Sequence, residues 1–320
     1  MNAAIKVVGL TKRFRTLVAV DHVTFEVKQG EIFGLLGPNG AGKTTTIRML
    51  VGLTPPSAGT AVIHGYNLQE DLLAVKRCVG VVPETSNLYE ELTVWQNLLF
   101  MTRLYHVPKP EREQRICSLL QTFDLWEKRR VKFGKLSRGL KRRSVVAAAL
   151  VHNPELVFLD EPTTGLDVQS ARSLRRLLIE LQRTGLTVFL TTHYIEEADL
   201  LCDRIALIVS GKLRQIESPA GLKALIQNVP RIEASFTAPL PVPMIERLKA
   251  VGEVHVTGKT VQISTPDVTN ALEALTTLSK ESGRKLESVS TAWPSLEDAF
   301  VKLTGVPVEM LKVEKERGGR

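Results

Sequence analysis

Cysteine is scarce: Cys78, Cys117 and Cys202 are the only three among 320 residues, and they never form a C-x-x-C pair. An odd, widely spaced trio excludes a disulfide framework and a zinc site of the usual spacing, and it fits a reducing compartment. Long apolar runs are lacking as well. No stretch reaches the roughly 18 residues that a bilayer-spanning helix needs, so work at a membrane requires another chain to cross it. The first 30 residues hold no apolar core followed by a small-residue cleavage site, and no secretion signal is expected. Aromatics make up only 5% of the chain. They do not interleave with basic residues in the repeated way that base stacking uses. Internal repeats and low-complexity segments are absent too.

What is present is an ordinary globular composition, 43% hydrophobic and 24% charged. The net charge of +8 is unevenly placed, because residues 228–320 hold equal numbers of basic and acidic residues. The whole excess therefore lies in residues 1–227. Much of it falls in Lys128, Arg129, Arg130, Lys132, Lys135, Arg138, Lys141, Arg142 and Arg143, a run without an acid. Such a run reads as a nucleic-acid patch or as a solvated basic face near phosphates or anionic headgroups. Without interleaved aromatics the second reading is favoured, and no nucleic acid is expected as a partner.

Short apolar runs alternate with helical patterns up to residue 227, the mark of an α/β domain. Strands are expected at Ile5–Leu10, His22–Val27, Ile32–Leu36, Thr60–His64, Gly80–Val82, Leu156–Asp160, Thr187–Thr191, Arg204–Val209 and Leu213–Glu217, with Ser210-Gly211 as a hairpin turn. Residues 93–150 break the rhythm and predict a helical subdomain. Beyond it, residues 228–305 read β-α-β-β-α-β plus a helix, an α+β accessory domain of the ferredoxin-like plan. Ser295 and Asp298 predict the cap of that last helix, with Asp where a capping box has Glu or Gln. Residues 306–320 read as a frayed tail.

Residues Gly37, Pro38, Asn39, Gly40, Ala41, Gly42, Lys43 and Thr44, followed by Thr45, satisfy G-x-x-x-x-G-K-[ST] between a strand and a helix. This is the P-loop arrangement, in which backbone N–H groups and a helix N-terminus face phosphate oxygens. Lys43 adds positive charge for the outer phosphates, and the Thr44 hydroxyl suits Mg²⁺. Four apolar residues, Leu156 to Leu159, then lead to Asp160 and Glu161. Carboxylates at the C-terminal end of a buried strand sit where open α/β sheets bind ligands. Asp160 suits the metal shell, and Glu161 suits a general base acting on water.

Together these residues resemble the ATP-binding subunits of ABC transporters over about residues 4–225. Leu136-Ser137-Arg138-Gly139-Leu140 stands where that family has its Leu-Ser-Gly-Gly-Gln signature, and Gly165-Leu166-Asp167 looks like its D-loop. His193 matches the switch histidine, Phe14 the adenine-stacking aromatic, and Glu84 the Q-loop position. The resemblance implies a P-loop NTPase fold, ATP and Mg²⁺ as cofactors, and a γ-phosphate contact for His193. It implies that Ser137, Gly139 and Asp167 reach the nucleotide of a second copy or a homologous ATPase, and that Glu84 joins Thr44 and Asp160 at the metal. Three departures stand out. Glu84 replaces a Gln, Leu140 replaces the final signature Gln, and Arg138 replaces a glycine, removing backbone freedom there.

The segment Pro294–Phe300 is similar to the ABC-2 exporters of the drug- and antibiotic-resistance type. The expectation is a peripheral ATPase at the cytoplasmic face of the membrane, powering export through a separate permease. An importer ATPase carries the same cassette motifs, and a soluble non-transport ABC ATPase would normally carry two cassettes. The cargo is not written in this chain, since cargo contacts belong to the membrane partner.

Overall fold

Unbroken apolar runs need burial on both faces, whereas alternating runs need it on one. Both kinds of strand occur here. The computed structural model describes residues 3–226 and 229–312. Two units form: one runs to Pro219 and includes the segment from Pro307, and the other is Ala220–Val306. The division falls earlier than the expected boundary at 227/228.

The first unit holds β1 (Ala3–Phe14), β2 (Leu17–Lys28), β3 (Ile32–Leu36), β4 (Ala58–Ile63), β5 (Tyr66–Asn67), β6 (Val79–Val82), β7 (Leu156–Asp160), β8 (Thr187–Thr192), β9 (Arg204–Val209) and β10 (Lys212–Glu217). They divide into an antiparallel sheet, β2-β1-β4-β5, and a six-stranded sheet, β10-β9-β3-β8-β7-β6. In the second sheet β9, β3, β8, β7 and β6 run parallel, and β10 joins as an antiparallel edge. The expected turn forms with Ser210 and Gly211 both at positive φ, the conformation a tight hairpin requires. The two-residue strand β5 was not expected from sequence.

Every residue of β3, β7 and β8 is buried. The two sheets share one core, in which Phe25 of β2 stacks on Phe33 of β3 with centroids 5.5 Å apart. Phe33 stacks on Phe189 of β8 at 5.7 Å, and Phe189 meets Phe158 of β7 at 5.4 Å. Each such ring contributes about 1.5–3 kcal/mol by burial, which fixes the spacing of the strands whose ends carry the site.

Residues 93–150 are helical as expected, with helices Val94–Leu104, Arg112–Thr122 and Arg138–Ala149. Thr93 and Gln96 close a capping box on the first. Among the described residues the only β pairing within this stretch is an isolated bridge between Thr93 and Lys132.

The second unit contains β11 (Arg231–Phe236), β12 (Glu253–Thr257), β13 (Thr260–Ser264) and β14 (Leu286–Ala292), wholly antiparallel in the order β12-β13-β11-β14. Ile232, Ala234 and Phe236 point into its core, while Arg231 and Glu233 face out. Ser295 and Asp298 form the reciprocal cap with Asp in the acceptor role, at 3.1 Å and 2.9 Å. The tail expectation is corrected in part, because Glu309–Lys312 is helical and Leu311 is buried. Residues 313–320 lie outside the described residues.

Candidate nucleotide site

Parallel strands place their C-terminal ends on one edge of the sheet. Here Gly37 follows β3, Glu161 follows β7, His193 follows β8 and Pro83 follows β6, so residues far apart in sequence converge. The P-loop turns from β3 into the helix Lys43–Leu50. Gly42 caps that helix at φ +103°, without a side-chain cap, so the first-turn N–H groups are left for an external acceptor. A Cβ on Gly42 would also run into the Ala19 carbonyl, and one on Gly37 into the Ile208 carbonyl. Glycine is thus required at both positions by the strands behind the loop.

Lys43 is buried and anchored from both sides. Its Nζ donates to the carbonyls of Gly37 at 2.7 Å and Pro38 at 3.2 Å, and pairs with Glu161 Oε1 at 3.1 Å. The other oxygen of Glu161 lies 2.7 Å from His193 Nδ1. Burial pushes the Glu161 carboxyl up, but the His193 hydrogen bond and the Lys43 charge outweigh it and hold it below the ordinary range. Glu161 is therefore a carboxylate at neutral pH, the form a general base must have. Its backbone is unusual, with φ +49° in a non-glycine residue. Its N–H donates to Thr191, 3.1 Å from both the carbonyl and the hydroxyl oxygen.

Asp160 Oδ1 accepts from Thr44 Oγ1 at 3.2 Å and from Thr191 Oγ1 at 2.6 Å. Two hard oxygens, Thr44 and Asp160, thus meet beside the P-loop, a donor set that fits Mg²⁺. Glu84 is not drawn into this pair. Its side chain is exposed, and among the described residues no hydrogen bond or ion pair joins its carboxylate to the site.

The remaining expected residues lie outside this cluster. Phe14 is 47% exposed near the β1–β2 turn, with Lys12 Nζ 5.0 Å from its ring centroid, so it is no core residue. Asp167 caps the helix Val168–Arg183, accepting from Ser170 N at 2.9 Å and Ser170 Oγ at 2.7 Å. Ser137 is exposed and caps the helix Arg138–Ala149 through Leu140 N at 3.4 Å. Gly139 is buried, and a Cβ there would collide with Ser170 Oγ. Arg138 lies in the first turn of that helix and is not at positive φ. The departure from glycine therefore costs no backbone strain.

The basic run is not one solvated face. Lys128, Arg130, Lys132, Lys135 and Arg138 are exposed, but Arg129 stacks over Trp126 at 4.2 Å and Arg143 bonds Ser173 at 2.6 Å and Asp124 at 3.0 Å. Arg142 is buried. Burial pulls its guanidinium down to about 10, against four carboxylates that pull it up, so it stays cationic at neutral pH. Sequence reading missed this residue by grouping it with its exposed neighbours. The signal was present, since 139, 142, 145, 146 and 149 form one buried helical stripe. Glu197 was missed too. It is buried below the site, and burial pushes its carboxyl above the ordinary range despite nearby Thr192 and Thr163.

Comparison with known proteins agrees with this geometry. The sequence profile of the ABC transporter family matches residues 20–164. The chain is 34% identical to the linearmycin resistance ATP-binding protein LnrL of Bacillus subtilis, over 93% of this chain and 97% of that protein. It belongs to the ABC transporter ATP-binding proteins. It is also 36% identical to the Nod factor export ATP-binding protein I of Mesorhizobium japonicum, over 96% of this chain and 88% of the relative. A dimeric ATP-binding cassette in a post-hydrolysis state, bound to ADP and Pi, superimposes with a TM-score of 0.62 at 27% identity, covering 67% of this chain and 98% of that one. Like its family, this ABC protein binds ATP with Mg²⁺ and hydrolyses it to power transport. Among the described residues no helix is long and apolar enough to cross a membrane.

Proposed function

We propose that this ABC protein drives export through a separate ABC-2-type permease, docked at the cytoplasmic face of the membrane as one of two paired cassettes. The observation that carries the reading is the convergence of Lys43, Thr44, Asp160, Glu161 and His193 at one sheet edge. The names of full-length relatives, which concern resistance and Nod factor export, support the direction of transport. The order β12-β13-β11-β14 supports a ferredoxin-like plan for the accessory unit.

In this reading the P-loop amides and Lys43 bind the phosphates, Phe14 stacks on the adenine, and Thr44 with Asp160 holds Mg²⁺. The ion would supply charge neutralisation at the transferring phosphoryl group. Glu161 takes the proton of the attacking water. His193 fixes the direction of that carboxylate and contacts the γ-phosphate from its other ring nitrogen. Ser137, Gly139 and Asp167 serve the nucleotide of the partner copy. Ser137 and Asp167 are exposed at helix starts and Gly139 follows in the first turn, a placement that suits contact in trans, with a hydroxyl and backbone N–H groups offered to phosphate oxygens.

Mixing two inactive variants tests the shared site. Lys43→Ala and Ser137→Arg each lose ATPase activity alone. In a mixed dimer one site combines an intact P-loop with an intact signature, so activity returns in part. No recovery at any mixing ratio, with both variants folded and pairing, would overturn the arrangement.

A further inference from the structure

Arg142 donates five hydrogen bonds, all to main-chain carbonyls. Nε bonds Pro162 O at 2.8 Å, and Nη2 bonds Asp160 O at 2.8 Å and Glu161 O at 3.1 Å. Nη1 bonds Pro83 O at 2.6 Å and Glu84 O at 3.4 Å. Three successive carbonyls at the end of β7 and two after β6 thus converge on one guanidinium. Only arginine offers five donors in a rigid planar fork, and a lysine ammonium has three.

The clasp holds a backbone that sterics disfavour. Glu161 sits at φ +49°, a conformation that persists only where surroundings over-determine it. Thr191 holds its N–H from one side and Arg142 its carbonyl from the other. This left-handed turn is where the chain leaves β7, and it carries the carboxylate that meets Lys43 and His193. Arg142 also lies one helical turn beyond Gly139, on the helix that Ser137 caps. A rigid side chain therefore connects the signature helix to the backbone of Glu161 and to the segment after β6.

We propose that Arg142 is a positioning residue for hydrolysis, clamping the left-handed backbone of Glu161 and tying it to the signature helix. The proposal rests on the reading of Glu161 as general base. It assigns Arg142 a part in turnover and none in nucleotide binding, since its bonds go to carbonyls and none to P-loop atoms.

The test compares Arg142→Lys, Arg142→Met and Glu161→Gln in the full chain, with turnover and Mg²⁺-ATP affinity measured for each. Displacing a catalytic group by about 1 Å costs on the order of 10²-fold in rate. Arg142→Met is expected to lose about that much in kcat, and Arg142→Lys about tenfold, with three donors retained. Nucleotide affinity should stay within about twofold of wild type in both. Arg142→Met takes a donor from five carbonyls, of which Glu161 O keeps Thr164 N at 3.3 Å, so if it does not fold, Arg142→Lys decides. Combining Arg142→Lys with Glu161→Gln should cost nothing beyond Glu161→Gln alone, because the two act as one unit. A general packing role predicts the opposite, a multiplied loss and weaker nucleotide binding, and either result overturns the proposal. Wild-type kcat for Arg142→Lys alongside an inactive Glu161→Gln also overturns it. Wild-type kcat for Glu161→Gln would instead remove the general-base reading on which it rests.

Discussion

The two sheets that close the two units treat charge in opposite ways. In the parallel sheet of the first unit, β3, β7 and β8 are buried throughout, and the polar residues gathered at their ends are buried as well: Lys43, Asp160, Glu161 and His193. In the second unit the antiparallel sheet has one packed and one wet face, and that unit's ion pairs, such as Arg247–Glu281 between two helices and Lys259–Glu287, lie in solvent. Buried charge is costly unless every group is matched, so it is kept where chemistry needs it. Solvated pairs cost little and do little. The difference marks the first unit as the engine and leaves the second a fold held by its apolar core.

The largest expected effect exploits that contrast in the buried network. Under the roles proposed above, Glu161→Gln removes the base yet keeps shape and volume. Turnover should fall by about 10²–10⁴, the usual contribution of one general base. ATP binding should persist, measured by equilibrium dialysis with Mg²⁺-ATP. Near-normal turnover would show that the buried carboxylate serves architecture alone.

A middle-sized effect probes whether the two cores are independent. Phe158→Ala opens a hole beside Phe189 in the first unit, and Leu275→Ala does so in the second. Each should cost its own unit stability, about 3–5 kcal/mol for the phenylalanine and 2–5 kcal/mol for the leucine. Calorimetry with Mg²⁺-ATP checks the separation, because a ligand raises the melting temperature of the unit that binds it. Nucleotide should raise the transition shifted by Phe158→Ala and leave the one shifted by Leu275→Ala. One transition moved by both variants would break the comparison.

Much of the first unit was legible because its signals are local. Ile32–Leu36, Leu156–Asp160 and Arg204–Val209 have the bounds expected from unbroken apolar runs between turn residues. The second unit's alternation was equally readable in Arg231–Phe236 and Thr260–Ser264. Short or displaced features were not. Tyr66–Asn67 is too brief to carry a pattern, and Leu311 is buried by tertiary packing in a stretch whose composition reads as tail. At the site, the motif residues could be placed by spacing, but their partners could not. Lys43 bonds Glu161 because β3 and β7 flank β8 in parallel register, a fact of the sheet alone. Glu84 was placed at the metal by motif position alone, and its exposed side chain makes no hydrogen bond or ion pair with the site among the described residues. Arg142 was hidden among basic neighbours, where charge drew attention away from the helical stripe it lies on.

The smallest effect sharpens the comparison through pH. Glu197 is buried in the first unit, and neither carboxyl oxygen makes a hydrogen bond of ordinary geometry among the described residues. Burial raises its folded-state pKa above the unfolded value. Below the unfolded value both states hold the proton, and Glu197 gives no pH dependence. As pH rises past it, the unfolded chain releases the proton while the folded chain keeps it, so stability declines toward the folded pKa. Glu197→Gln carries no such proton, so the variant should gain on wild type in urea melts as pH rises from below the carboxylate range. In the second unit, Arg247 lowers the Glu281 pKa through a fully solvated hydrogen bond. A depressed carboxylate stabilises above its unfolded pKa and loses that stability as pH falls through the folded value, but water screens this pair. Arg247→Met should therefore leave the melts unchanged across the same range. A pH slope altered by Arg247→Met and indifferent to Glu197→Gln would invert the contrast between buried and solvated carboxyl groups.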